Sequence, residues 1–276
     1  MSNLSVVDNT LTSASDYTPF SIAAPLDPRL PGGGGQTVSG LFDLNPNKVG
    51  QVKNLHQLGS NFAELTHNWQ GVDVGVTARL KNGLTVQGGT STGRRLTDAC
   101  AVRALVPERT SSTAIVPAGG LLSSLTNPYC HVVEPYRTSA TGLASYTVPK
   151  VDIQTSVTWQ SNPGPEIAAN YVASNAVIAA GPQPLGRNLS GGANVTVNLI
   201  QPGTLYGPRR NNFDMRVMKI QRFGTRRLTV SLDVYNLANS DTVLAYNNSF
   251  VPGGAWLTPT RIASARYMKI GAGFDF

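Results

Sequence analysis

The sequence predicts an all-β protein: an antiparallel up-and-down meander, about eight strands of a larger, partial transmembrane β-barrel with long extracellular loops. Three observations predict it. Apolar and polar residues alternate with period two in segments of about ten residues, the length a tilted strand needs to cross a bilayer. Short turns alternate strictly with long connections. The closing stretch Lys269-Ile-Gly-Ala-Gly-Phe-Asp-Phe276 also alternates and ends on an aromatic.

Composition points the same way. Charged residues make up 13% of the 276 residues, against roughly 25% in soluble domains. Hydrophobic content is 41% and mean hydropathy −0.10, so uncharged Gly, Ser, Thr, Asn, Gln and Pro fill the gap. That balance suits a barrel, in which only alternate strand positions need be apolar. No run approaches the ~18 apolar residues of a membrane-crossing helix. The formal charge of +7 is scattered rather than striped, unlike the concentrated charge of a nucleic-acid reader. The N-terminus lacks the basic, apolar and small-residue regions of a signal peptide, so the expectation is a chain incomplete at its start.

The elements follow in order. Leu4–Asp8 reads as the end of an ascending strand. From Trp69 the chain places Val72, Val74, Val76, Ala78 and Leu80 on one face and Asp73, Gly75, Thr77 and Arg79 on the other. Lys81-Asn-Gly83 is a tight turn, since Asn-Gly tolerates positive φ, and the chain returns through Leu84, Val86 and Gly88. A second hairpin runs from Leu143 to Val148, turns at Pro149-Lys150, and continues with Val151, Ile153, Val157 and Trp159 on one face. A third pairs Phe213–Val217 with Leu228, Val230, Leu232 and Val234 across residues 222–226. The final strand spans Thr260 to Phe276. Asn194–Ile200 alternates as well, but an extra crossing would break parity, so it is expected in a hairpin above the membrane.

Long connections cover about residues 9–60, 98–136, 161–209 and 238–258, rich in Pro and Gly. Loops of this length are rare in compact domains. Confined to one end, they match the barrel rule of short periplasmic turns and long extracellular loops. With that assignment the last strand descends and Phe276 lies at the periplasmic side. Lys269, Gly271, Phe274 and Phe276 then have the pattern of an outer-membrane insertion signal. Trp69, Tyr146, Trp159 and Tyr235, near strand ends, are expected in an aromatic girdle, with burial in a soluble core as the alternative. Arg94, Arg95, Arg209 and Arg210 are either solubilising charges or contacts to lipopolysaccharide phosphates. The loop aromatics Tyr17, Phe20, Tyr129, Tyr136 and Tyr246 either stack on a ligand or pack within their loops.

The only two cysteines, Cys100 and Cys130, share one connection. A disulfide suits an export route; two free thiols are the alternative. A metal site with His131 would lack a full ligand set, so neither metal nor cofactor is expected. Gly89-Thr-Ser-Thr-Gly93 matches a nucleophile-elbow pattern, but the alternation runs through it and no helix follows. It reads as a small-residue strand, and no enzymatic chemistry is expected. The Gly32–Gly35 run lacks the Lys-Ser/Thr of a phosphate loop and reads as a flexible loop tip.

Several stretches together resemble the C-terminal barrel of TonB-dependent outer-membrane receptors, in particular those with an N-terminal carboxypeptidase-regulatory-like domain. They are Asp27-Pro-Arg-Leu-Pro-Gly-Gly-Gly-Gly35, Trp69–Leu80, Asn127-Pro-Tyr-Cys130, Arg187-Asn-Leu-Ser-Gly-Gly192, Phe213–Ile220 and Val230-Ser-Leu-Asp-Val-Tyr-Asn-Leu237. The resemblance implies a barrel of about 22 strands around an N-terminal plug, energised through TonB. Residues 1–276 would be the C-terminal part, without plug or signal peptide. The expected partners are outer-membrane lipid, lipopolysaccharide, the barrel-assembly machinery and the remaining strands. The implied function is nutrient uptake in the bacterial outer membrane. A passive outer-membrane channel and a secreted β-sandwich binding module are the alternatives.

Overall fold

A computed structural model describes residues 5–108 and 124–276. The chain begins with β1 (Ser5–Asn9), β2 (Tyr17–Ala23), β3 (Thr37–Leu44) and β4 (Asn54–Leu58). The long hairpin β5 (Thr66–Arg79) and β6 (Leu84–Asp98) follows, then helix α1 (Cys100–Leu105) and the short β7 (His131–Val133). β8 (Arg137–Val148) and β9 (Ile153–Asn162) form the next hairpin, followed by β10 (Asn170–Ser174), α2 (Asn175–Ala179) and β11 (Asn194–Asn198). β12 (Arg210–Phe223) and β13 (Arg226–Tyr235) form the third hairpin. β14 (Val243–Tyr246), β15 (Ser249–Phe250) and β16 (Pro259–Ile262) lead to β17 (Tyr267–Asp275).

The protein is all-β, and its largest unit is an eight-stranded antiparallel sheet. Seven long strands run in the order β5-β6-β8-β9-β12-β13-β17, with β7 pairing beside β8 on the far end of β6. Tight turns join β5 to β6, β8 to β9 and β12 to β13. Gly83 (φ 85°) takes the left-handed geometry that the first of them requires. The other sequential connections are long and emerge at the opposite end. The sheet stays open: among the described residues, the outer edges of β5 and β17 have no strand partner.

Cross-strand register divides the sheet into two unlike faces, because directly opposed residues point the same way. Val72, Val74 and Val76 oppose Thr92, Thr90 and Gly88. That face continues through Ala144, Val157 and Met215. It passes to Val217 beside Leu232, and ends at Ile270 and Phe274 beside Leu232 and Leu228. It is apolar and uncovered: Val72 is 65% exposed and Ile270 78%. The opposite face carries Asp73, Gln87, Ser91, Thr141, Ser156, Thr158, Asp214, Ser231 and Lys269.

The hydrophobic core lies elsewhere, within the long connections. Phe20, Ile22, Leu41, Ile178, Val197, Phe250 and Trp256 are almost wholly buried together. They come from β2, β3, α2, β11, β15 and the segment before β16, so three connections fold into one cap. Trp256 packs edge-on against Phe250 at 5.2 Å and donates its indole N–H to the Ala168 carbonyl at 2.8 Å. Arg29 forks onto Asp27 and donates to the Gly254 carbonyl at 2.8 Å. A second cluster packs Val6 of β1 against Val102 and Val106 around α1.

Several expectations are corrected. Of Leu4–Asp8, expected as the end of an ascending strand, Leu4 lies outside the described residues and the rest is not part of the large sheet: β1 pairs with β4, Val7 opposite His56, and Val6 finds its burial against α1. Among the described residues the long strands therefore number seven, and the eighth member of the sheet is the three-residue β7. The final strand does not begin at Thr260. Thr260–Ile262 belongs to β16, which pairs with β14. Ala263 N–H donates to Thr242 O, and Arg266 N–H to the Asn239 side chain, which divert the chain before β17. Val151 lies in the turn before β9 rather than on a strand face. Gly32–Gly35 is a wound turn, each glycine at φ 73–82°, and a Cβ on Gly34 would fall 2.1 Å from the Pro25 carbonyl oxygen. Asn194–Ile200 does stay out of the large sheet; β11 pairs with β10 in the cap.

Candidate functional site

The polar face of the large sheet holds a chain of hollows. The largest, about 470 Å³, lies over Gly75, Gln87, Gly89, Thr141, Thr158 and Gln160. Glycine and short hydroxyl side chains at these alternate positions leave space that larger residues would fill. A neighbouring hollow of about 320 Å³ contains Arg216 and Asp233. Arg216 forks onto Asp233, with Nη2 3.0 Å from Oδ2, and Asp233 is only 4% exposed. A guanidinium held on both carboxylate oxygens offers few free donors.

Toward the loop end a hollow of about 240 Å³ is lined by Asn162, Arg210, Asn212, Asn236, Ser240 and Thr242. It shares Asn162 and Arg210 with a fourth, about 390 Å³, that also holds Trp69, Arg95, Glu134 and Arg137. Arg95 and Glu134 are 3.6 Å apart. Arg137 donates to the Gly164 carbonyl at 2.6 Å and lies 3.9 Å over the Tyr206 ring. Burial raises the Tyr206 hydroxyl to about 12 and also raises the Glu166 carboxyl, which accepts from Gly203 N–H.

Strand parity sorts the residues singled out in the sequence. Tyr146 and Trp159 lie on the apolar face, Tyr146 opposite Leu84 and Trp159 stacked on Phe213 at 6.3 Å. Trp69 and Tyr235, expected in the same aromatic girdle, lie on the polar face instead. Trp69 shares its face with Gly71 and Asp73, and Tyr235 stacks on Tyr267 at 4.6 Å beside Asp233. Odd-numbered positions of both strands face the polar side, however close they lie to a strand end. The arginine pairs split likewise. Arg94 stacks on Tyr136 at 4.9 Å and Arg209 reaches Ser161 Oγ at 2.7 Å, both on the apolar side. Arg95 and Arg210 face the hollows, and Arg94 also borders the one that holds Trp69.

On β17, Lys269 and Gly271 lie opposite Asp233 and Ser231 on the polar face, and Phe274 lies opposite Leu228 on the apolar face. Phe276 is 96% exposed beyond it. Cys100 and Cys130 form a disulfide, with Cα atoms 4.8 Å apart. It ties the start of α1 to the entry of β7, where Ala99 N–H also donates to Cys130 O. Ser91 sits mid-strand opposite Asp73 and Ser139, within a continuous ladder rather than at an elbow. Of the loop aromatics, Tyr17 and Phe20 are buried in the cap, and Tyr136 is exposed.

Arg137, Glu134 and the inward aspect of Trp69 escaped the sequence reading. Counting parity from Val72 would have placed Trp69; nothing local indicates that residues 134 and 137 approach residue 210. No family model, curated protein or solved structure matches the chain.

Proposed function

We propose that the chain is a wall segment of an outer-membrane uptake receptor, with the apolar face toward lipid and the polar face toward the lumen. The cap of long connections is the extracellular part that receives a nutrient. The rest of a longer receptor supplies the other strands, the plug and the contact to TonB. Binding and passage, rather than bond-making, is the activity this reading assigns.

One observation carries the proposal: an uncovered apolar face that continues over seven strands and is backed by a polar one. At about 4.8 Å per strand and about 3.3 Å per residue it is roughly 30 Å across and about 30 Å long, on the order of 900 Å², beyond the few hundred Å² of apolar patch that soluble monomers expose. A β-sandwich would bury this face under a second sheet; here the buried core lies in the cap instead. Unpaired β5 and β17 edges also favour a larger closed assembly, since a bilayer satisfies no exposed backbone groups.

The three tryptophans provide the test, because Trp159 is on the apolar face, Trp69 on the polar face and Trp256 in the cap core. In vesicles containing brominated lipid, Trp159 is expected to account for most of the emission quenching. Trp159→Phe should abolish most of it. Quenching that is unchanged in this variant would reject the lipid-facing assignment.

A further inference from the structure

We infer that the loop end of the polar face is a binding site for an acidic saccharide, with Trp69 as its stacking platform and Arg210 as its carboxylate partner. The inference deepens the proposed function and rests on it only in taking the polar face as the side a solute reaches.

Trp69 lies flat on a bed of glycine. A Cβ on Gly71 would fall 2.4 Å from its ring and one on Gly93 2.2 Å. Those two glycines oppose each other across β5 and β6, so both strands clear the same space. The residue is nonetheless 51% exposed. One ring face is supported by backbone and the rest is open to the hollow. Leaving that much aromatic surface in water is unfavourable, and a ligand with an apolar face would relieve it. The C–H face of a pyranose ring is such a surface.

Charge at the hollow is unbalanced. Arg94, Arg95, Arg137 and Arg210 meet one acid, Glu134, and Arg94 is stacked on Tyr136. Arg95 faces Glu134, and Arg137 is engaged by Gly164 and Tyr206. Arg210 has no hydrogen bond or ion pair from its side chain among the described residues. Its planar donors remain available for a carboxylate, which they can hold bidentately. The remaining walls are uncharged: Ser91, Ser139 and Asn162 here, continuing into Asn212, Ser240 and Thr242 across Arg210. Neutral amides and hydroxyls complement a hydroxyl-rich chain. An inorganic anion would use the arginine but not the indole. A neutral sugar would use the indole but leave the arginine unmatched.

The experiment is calorimetric titration of the purified full chain in detergent with trigalacturonate, alongside maltotriose and inorganic phosphate. Saturable trigalacturonate binding is expected, weakened by salt, with maltotriose at least about tenfold weaker. Arg210→Gln and Trp69→Leu should each weaken it by about tenfold or more. Arg210→Gln tests the site with little risk to folding, because among the described residues no hydrogen bond or ion pair depends on that side chain. No binding, equal binding by Arg210→Gln, or displacement by phosphate at equal concentration would overturn the inference. Because no bilayer is used, such a failure leaves the Trp159 quenching result standing. Conversely, unquenched Trp159 with intact binding would reject the membrane reading alone.

Discussion

The indole of Trp69 occupies the space a side chain on Gly93 would need: a Cβ there would lie 2.2 Å from Trp69 Cζ2. Gly93→Ala should therefore push the ring off the sheet, costing about 1–3 kcal/mol as an overpacked contact does. Iodide quenching of Trp69 should rise in the variant. Combined with Trp69→Leu, the alanine should add almost nothing, giving a large coupling in a double-mutant cycle. Additive costs would show that the two residues do not share this space.

Asn236 adopts φ 50° and is nearly buried. Its amide donates to Ser240 O at 2.8 Å and Ser264 O at 2.7 Å, while its Oδ1 accepts from Ser240 N–H. Asn236→Ala should cost about 2–4 kcal/mol, from lost hydrogen bonds and left-handed strain. Asn236→Gly should recover about 1 kcal/mol of that, the backbone share. Urea unfolding of the three proteins checks the order.

The Cys100–Cys130 bond closes a connection with a sequence separation of 30. Replacing both with serine should lower stability by about 3–4 kcal/mol, the loop entropy returned to the unfolded chain. Unfolding midpoints of wild type with and without reductant, set beside the double variant, measure it. A midpoint unchanged by either treatment would contradict it.

Two cap carboxyls should respond oppositely to pH. Hydrogen bonds from the Arg29 side chain, then from the Arg29 and Gly253 backbone, hold Asp27 well below the usual carboxylate range. Unfolded, Asp27 titrates near about 3.9, so its contribution is complete above that pH and is lost as pH falls toward the lowered native value. Burial raises Glu166. Its contribution is greatest below about pH 4.3 and is lost as pH rises through the raised native value. Asp27→Asn should flatten the acid-side loss of cap stability, and Glu166→Gln the decline on the other side. Cap unfolding followed by Trp256 emission across about pH 3 to 8 checks both slopes.

Much of the large sheet was legible because its information is local. Val72, Val74 and Val76 alternate with Asp73 and Gly75, and Asn82-Gly83 marks the turn that returns them, so strand, face and hairpin are written within twenty or so residues. The same parity placed Lys269 and Gly271 opposite Phe274 on β17. Where sequence and structure part, nearness to a strand end misleads against parity, as for Trp69 and Tyr235, or a short alternating run belongs to a small hairpin rather than a long strand, as at residues 5–8 and 260–262. An alternating tripeptide is equally at home in a cap hairpin, and only its partner decides which.

The sequence by itself determined the all-β class, the three tight hairpins, the amphipathic faces and the confinement of long connections to one end. These follow from side-chain period and turn chemistry, which act between near neighbours. Tertiary structure alone decided that Phe20, Val197, Phe250 and Trp256 share one buried core, that Arg29 clasps residue 254, and that Arg95, Arg137 and Arg210 surround one hollow beside Trp69. Those residues are far apart in the chain. Their meeting depends on the summed burial and hydrogen bonding of all three connections at once, and no short stretch of sequence carries a record of that sum.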